Sequence, residues 1–169
     1  FHRFPFTMAS PGNDLDRLFN PASVSVIGAS PREGSIGYSL VRNLQISGFA
    51  GRIIPVNQKY DELLGLKCFR SLGDMPEQAD LTVVAVPAEA VNGVIESACK
   101  LGARMFVIIS SGFDEVGRHD LTHELVAILK RYGARALGPN VFGVFSARAS
   151  MNATFGPAQV RKGNIGLIS

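Results

Sequence analysis

Several kinds of functional residue are scarce in this 169-residue chain, and each scarcity excludes a class of protein. Cysteine occurs only at Cys68 and Cys99, which are too few for a disulfide framework and lack metal-ligand spacing. Both lie among apolar residues, so we expect reduced, buried thiols and a cytoplasmic protein. Histidine occurs at His2, His119 and His123, without the third ligand that a metal site needs. We therefore predict neither a metal site nor catalytic residues, and expect His119 and His123 to be solvated.

Charge of one sign and long apolar runs are also limited. The 17 basic residues exceed the 14 acidic ones by only three, and they are scattered without interleaved aromatic residues, which argues against a nucleic-acid partner. No apolar run reaches the roughly 18 residues that a membrane helix needs. Residues 1–7 lack the continuous hydrophobic core of a signal peptide. We expect no membrane partner.

The composition indicates one globular domain. Hydrophobic residues make up 46% of the chain and charged residues 18%, which is typical of a sequence that buries a core. We predict a domain over residues 15–169, preceded by an N-terminal tail over residues 1–14. Met8 is a candidate native start, in which case residues 1–7 do not belong to the natural protein.

Short β-branched runs alternate with segments of helical period. Strands are predicted over residues 23–28, 52–57, 81–87, 105–109 and 134–137, and a sixth within 163–169. Helices are predicted over residues 36–46, 91–101 and 121–132. This alternation predicts an α/β fold with a Rossmann-like, doubly wound and mainly parallel sheet. Ligands bind such sheets beyond the carboxyl ends of the strands, so the candidate loops are 28–37, 55–59, 86–89, 110–114 and 138–142.

The first loop is rich in glycine and leads directly into a helix. Glycines at this point let backbone N–H groups approach a phosphate, which the helix N-terminus also favours electrostatically. The spacing is neither that of a G-x-G-x-x-G fingerprint nor that of a Walker loop. The alternative is a structural turn with a serine cap. The candidate ligand-binding residues of this loop are Ser30, Arg32, Gly34, Ser35, Ile36 and Gly37.

The second loop bears on the choice of ligand. NAD-binding domains usually carry an acidic residue at the end of the second strand, whereas this chain has Val56, Asn57 and Lys59 there and no acid before Asp61. An ammonium at Lys59 would suit the additional ribose phosphate that NADP and coenzyme A both carry. The alternative is a solvated loop lysine.

The remaining loops offer hydroxyl and backbone groups. Those after the third and fourth strands could contact an adenosine or a pantetheine chain, or could be ordinary turns before helices. Asn140, after the fifth strand, could orient a carbonyl group or a loop backbone, or could simply form a turn. The candidate ligand-binding residues here are Val86, Pro87, Ile109, Ser110, Ser111 and Asn140.

The loop sequences together resemble a known family. The motifs Val26–Ser30, Gly34–Gly37, Pro55–Asn57, Ala85–Pro87, Ser110–Phe113, Gly138–Asn140 and Asn152–Phe155 occur in the order found in the coenzyme A-binding domain of NDP-forming acyl-CoA synthetases, which include the ADP-forming acetyl-CoA enzymes. These synthetases are related to the α subunit of succinyl-CoA synthetase. The resemblance covers roughly residues 15–169.

The resemblance implies that the chain is the N-terminal, CoA-binding domain of a synthetase that converts acid, CoA and NTP into acyl-CoA, NDP and phosphate. It implies that the Gly34–Gly37 turn cradles CoA near its phosphates, that Lys59 contacts CoA, and that Ile109–Ser111 lines the same site. The succinyl enzyme has an acid at the position of Ser111 and a cysteine at that of Val141.

The same resemblance implies that the chemistry is carried elsewhere. The phosphorylated histidine, ATP or ADP, and Mg²⁺ belong to other domains or to a β-type ATP-grasp subunit, and the full enzyme is expected to be oligomeric. This segment alone is expected to be inactive. The alternatives are the synthetase-like region of a protein lysine acetyltransferase and a non-catalytic CoA- or NAD(P)-binding regulatory module.

Overall fold

A computed structural model describes residues 14–158 and residue 163. Its strands are β1 (Ser23–Ile27), β2 (Arg52–Val56), β3 (Glu62–Leu63), β4 (Leu66–Lys67), β5 (Leu81–Val84), β6 (Met105–Ile108), β7 (Arg135–Leu137), β8 (Gly143–Ser146) and β9 (Met151–Thr154). Its helices are α1 (Asp14–Phe19), α2 (Ile36–Ile46), α3 (Ala88–Lys100) and α4 (His119–Tyr132). Short 3-10 turns cover Leu72–Asp74 and Asp114–Val116.

The central sheet is parallel throughout, with the strand order β2-β1-β5-β6-β7. Strand β1 pairs with β2 on one side and with β5 on the other, so the strand order reverses between β1 and β5. Counted among the parallel strands alone, this is the 2-1-3-4-5 order of one common doubly wound fold. In that fold, ligands bind at the switch point. The predicted α/β class with a parallel sheet is confirmed.

Helices cover both faces of the sheet because its central strands are apolar on both sides. All residues of β1, β5 and β6 are buried. On one face, Phe106 and Ile108 pack in a core with residues of α3 and α4. On the other, Val83 and Val107 pack in a core with residues of α2, β8 and β9. Continuous apolar strands of this kind are typical of parallel sheets buried on both faces.

Several predicted boundaries need correction. The third strand ends at Val84 rather than at residue 87, because Pro87 already takes the N-cap position of α3. That helix therefore begins at Ala88, earlier than predicted, and α4 begins at His119. Helix α2 has the predicted bounds. The sixth strand predicted within 163–169 lies outside the described residues, apart from Gly163.

Helix α1 and two hairpins were not predicted. The hairpin of β8 and β9 packs against α2, where the buried Asn43 donates from Nδ2 to the carbonyl oxygens of Thr154 at 2.8 Å and Gly156 at 2.9 Å. Asn152 Oδ1 accepts from the Thr154 N–H and hydroxyl. These contacts attach the last described strand to the helix that follows the first loop. Of the helices in residues 14–158, none has the length and apolar character to cross a membrane.

Candidate functional site

The candidate site lies at the carboxyl edge of the sheet, where the backbones of the first and third loops meet. Gly28 has a φ of +87°, and a methyl group added there would overlap the carbonyl oxygen of Ala85. A methyl group added at Gly37 would overlap the carbonyl oxygen of Gly28. Only glycine fits both positions, so the start of α2 lies directly on the turn that follows β1 at the switch point.

Two serines shape the first loop. The Ser35 hydroxyl caps α2 by accepting from the Tyr38 N–H at 3.2 Å, and it donates to the Arg32 carbonyl oxygen at 2.7 Å. The Ser30 hydroxyl accepts from the Arg32 N–H at 3.1 Å. The serine cap considered from the sequence is therefore present. It fixes the direction of the helix without using the first two helical amides.

The first two helical amides belong to Ile36, which is exposed, and to Gly37, which is buried. Among the described residues, no acceptor contacts the backbone N–H of Ile36 or Gly37. Amides at a helix N-terminus carry partial positive charge, and the first turn of α2 contains no acidic residue to neutralise it. Gly34 precedes them with a φ of +80° and open space around its Cα. The exposed Arg32 guanidinium contacts no carboxylate in the described part of the chain.

The second loop is attached to the first by one side chain. Asn57 donates from Nδ2 to the Ala29 carbonyl oxygen at 2.7 Å, and its Oδ1 accepts from the Lys59 N–H at 2.9 Å. Lys59 is exposed, and no described residue pairs with its ammonium. Val56 is a candidate ligand-binding residue, but its side chain lies in the core. This edge thus presents a second cation on an anchored backbone.

The third, fourth and fifth loops are joined through Ser110. Its hydroxyl donates to the Val86 carbonyl oxygen at 2.6 Å and accepts from the Val86 N–H at 3.2 Å. Its carbonyl oxygen accepts from the Asn140 N–H at 2.9 Å. Ser110 is buried, so its hydroxyl proton is committed to the protein. Ile109 is also buried in the core and can offer a ligand only its backbone.

The surface of these loops is formed by other candidate residues. Ser111 and Pro87 are exposed, and Asn140 is exposed with a φ of +57°. In the turn after β6, the Glu115 carboxylate accepts from the Gly112 and Phe113 N–H groups. The Gly112 N–H is the main cause of a lowered pKa for this carboxyl group, because a hydrogen bond from an N–H stabilises the carboxylate form.

The remaining reactive side chains are the histidines of α4 and the two cysteines. His119 Nδ1 lies 2.8 Å from Asp114 Oδ1 and is exposed, as predicted for a surface histidine. The Thr122 hydroxyl and then His119 lower the pKa of Asp114. Cys68 and Cys99 are free and buried, as predicted, and burial raises the pKa of both thiols. Within residues 14–158, no group of three or more His, Cys, Asp or Glu residues could hold a metal ion.

The structure brings the loops chosen from the sequence to one edge of the sheet, but the sequence could not separate their exposed side chains from those that hydrogen-bond to neighbouring loops. Sequence patterns grouped Asn57 and Ser110 with the ligand-binding candidates, and their side chains bond to neighbouring loop backbones. These patterns did not predict the contact of Gly28 with Ala85. A polar residue directly after a buried strand is the only sequence signal for such a brace, and it does not identify the partner.

The strand order and the glycine turn after β1 define a Rossmann-like domain. The family described as "CoA binding domain" matches residues 22–147, and the chain belongs to this family. The resemblance inferred from the loop motifs is confirmed.

Several similar proteins are named as ADP-forming CoA ligases. The chain is 41% identical to the acetate–CoA ligase (ADP-forming) of Methanocaldococcus jannaschii, over 92% of this chain and 22% of that protein. It is 44% identical to subunit alpha of acetate–CoA ligase (ADP-forming) I of Pyrococcus furiosus, over 92% of this chain and 35% of that subunit. The chain therefore spans between about a fifth and a third of these relatives.

A solved structure shares the fold. The dinucleotide-forming acetyl-coenzyme A synthetase 1 of Ca. Korarchaeum cryptofilum, in complex with phosphate and ADP, superposes with a TM-score of 0.86 at 47% identity. The match covers 89% of this chain and 32% of that one. The similarity to these proteins is thus confined to one part of a larger enzyme.

Proposed function

We propose that this domain binds coenzyme A or acyl-CoA at the carboxyl edge of the sheet, with the CoA phosphates at the start of α2. The observation that carries the proposal is the pair of unpartnered amides, Ile36 and Gly37, behind an open glycine turn. A phosphate there would accept both N–H groups and interact favourably with the helix dipole. The family match to a CoA-binding domain supports CoA as the source of that phosphate.

We assign the surrounding residues either to the phosphate end of CoA or to its pantetheine and thioester end. Arg32 and Lys59 supply positive charge, and we assign Lys59 to the ribose 3′-phosphate because its ammonium is exposed and pairs with no described carboxylate. Ser111, Pro87 and Asn140 offer polar and backbone groups to the pantetheine and thioester end. The side chains of Val56 and Ile109 pack in the core beneath this surface. The Ser110 hydroxyl holds the Val86 backbone in place.

We further propose that residues 15–169 are the N-terminal domain of an ADP-forming acyl-CoA synthetase. In this enzyme, acid, CoA and NTP give acyl-CoA, NDP and phosphate. The named relatives, one of them an α subunit, support this assignment. The phosphohistidine, the nucleotide and Mg²⁺ would be held by further domains or by a β-type ATP-grasp subunit of an oligomeric enzyme. The two free cysteines fit a cytoplasmic location.

Two other functions use the same fold. A protein lysine acetyltransferase with a synthetase-like region would bind CoA with the same loops, and a fused acetyltransferase domain in the parent protein would distinguish it. An NAD-binding module is disfavoured, because Val56, Asn57 and Lys59 stand where NAD-binding domains usually have an acid. The family match favours CoA over NADP, which Lys59 alone would also suit. The names of the relatives favour the synthetase.

The proposal is tested by incubating the purified domain with NTP, acetate and CoA. We expect CoA binding without thioester formation, since we assign the phosphohistidine and the nucleotide site to the further domains. The parent protein, or the domain supplemented with the missing portions, should form acyl-CoA. Stoichiometric phosphohistidine at His119 or His123, or thioester formation above background by the domain alone, would contradict this assignment of the chemistry.

A further inference from the structure

Asn57 connects the two loops that carry the proposed phosphate contacts. Its Nδ2 donates to the Ala29 carbonyl oxygen at 2.7 Å, and its Oδ1 accepts from the Lys59 N–H at 2.9 Å. Ala29 is fully buried and stands between Gly28 and Ser30 in the first loop. One amide group therefore bonds to the backbone of the loop before α2 and to that of the loop after β2.

The second loop is anchored on both sides of Lys59, at Asn57 and at Asp61, whose carbonyl oxygen accepts from the Cys68 N–H at 2.8 Å. The Asn57 N–H donates to the Phe69 carbonyl oxygen at 2.9 Å, which anchors the start of the loop. Beyond it, Gln58, Lys59 and Tyr60 are exposed. Among the described residues, only the side-chain oxygen of Asn57 accepts a hydrogen bond from the Lys59 backbone N–H. Between the two anchors, the Asn57 side chain is the group in the described residues that links the Lys59 backbone to the first loop.

We propose that Asn57 is a positioning residue that couples Lys59 to the phosphate-binding turn, rather than a residue that contacts the ligand through its own amide. The inference rests on the proposed binding of CoA. Because Asn57 bonds to both loops, its loss frees the Lys59 loop and loosens the first loop at Ala29. The affinity for any CoA phosphate then falls, and so does the preference for a ligand with the 3′-phosphate.

Two substitutions separate these effects. Asn57→Ala removes both hydrogen bonds. Asn57→Ser keeps an oxygen that can accept from the N–H two residues later, as serine turns do, but this single short group does not span the distance to the Ala29 carbonyl. Lys59→Ala removes the ammonium and leaves the brace. Each variant and the natural chain are titrated calorimetrically with CoA and with dephospho-CoA, which lacks the 3′-phosphate.

We expect Asn57→Ala to weaken dephospho-CoA by about two- to tenfold, the range of one net hydrogen bond, and to weaken CoA more. The preference for CoA is the dissociation constant of dephospho-CoA divided by that of CoA. In Asn57→Ala this ratio should fall towards its value in Lys59→Ala. Asn57→Ser should weaken both ligands similarly and keep the natural ratio. In the double variant Asn57→Ala/Lys59→Ala, the ratio should be no lower than in Lys59→Ala.

A ligand-free measurement checks the brace independently of CoA. Hydrogen exchange of the Lys59 amide should be faster in Asn57→Ala than in the natural chain, with Asn57→Ser intermediate. If the natural chain binds CoA and Asn57→Ala keeps the natural ratio, the coupling is wrong and the proposed function stands. If the natural chain does not bind CoA, the proposed function fails and this inference fails with it. Unchanged exchange at Lys59 would contradict the brace itself.

Discussion

The hydroxyl of Ser110 donates to the carbonyl oxygen of Val86 at 2.6 Å and accepts from the N–H of the same residue at 3.2 Å. A single side chain thereby replaces the next step of the β5–β6 ladder, at the point where both strands end. The turn before α3 and the turn after β6 are consequently held together at the edge where we place the ligand. The first prediction concerns this clamp.

Ser110→Ala should destabilise the domain by about 1–3 kcal/mol, because it leaves the polar groups of Val86 without their partner at a buried position. The exposed neighbour provides a matched control, since Ser111→Ala removes a hydroxyl that no described residue contacts and should cost less than about 0.5 kcal/mol. Urea denaturation of the three proteins measures the difference. Equal midpoints for the two variants would show that the clamp does not stabilise the fold.

A second prediction concerns the close approach of backbones at the switch point. A methyl group at Gly37 would overlap the Gly28 carbonyl oxygen, so Gly37→Ala should destabilise by about 1–3 kcal/mol as the start of α2 is displaced. Gly93, within α3, has open space around it, and Gly93→Ala should stabilise by about 0.5–1 kcal/mol. Thermal and urea unfolding compare the pair. Stabilisation by both substitutions would contradict the tight seating of α2.

The third prediction is a pH dependence in the turn after β6. The pKa of Glu115 is lowered, chiefly by the Gly112 N–H, so its hydrogen bonds contribute stability above the unfolded pKa. This contribution is lost as the pH falls through the lowered, folded-state pKa. The amide signals of Gly112 and Phe113 should therefore titrate below the ordinary glutamate range in an NMR pH series. Glu115→Gln should abolish that transition, and a transition that persists in this variant would assign it to another group.

The fourth prediction concerns the charge of Lys59. Lys59→Ala should weaken CoA by roughly ten- to a hundredfold and dephospho-CoA far less, as expected for a charge-assisted contact to the 3′-phosphate. Lys100, in the last turn of α3 at the opposite edge of the sheet, is the control, and Lys100→Ala should leave both affinities unchanged. Equal losses for the two ligands in Lys59→Ala would return this lysine to a solvated role.

The sequence was sufficient to predict the sheet because its central strands carry a local signal. The apolar runs at residues 81–84 and 105–108 are buried on both faces, and such runs have no other place in a small α/β domain. The helix bounds of α2 followed from its apolar period and from Ser35. Helix α1 and the hairpins β3–β4 and β8–β9 are too short to show a period.

The hydrogen bonds by which Ser110 and Asn57 connect neighbouring loops could not be predicted from sequence patterns, for a different reason. Ser110 and Val86 are separated by 24 residues, and Asn57 and Ala29 by 28, so each contact exists only after the strands have paired. A polar side chain directly after a strand can hydrogen-bond either to a ligand or to a neighbouring loop, and its residue type is compatible with both. The register of the paired strands determines which of the two contacts forms, and that register cannot be derived from one sequence.

The central claim is that the phosphate-binding turn at the start of α2 serves coenzyme A. Its most direct test is a calorimetric titration of the domain with CoA, NAD and NADP under identical conditions, at one stated salt concentration. The account predicts that CoA binds more tightly than either dinucleotide, because the turn is expanded and no acid follows β2 to bind ribose hydroxyls. Tighter binding of NAD than of CoA would contradict it.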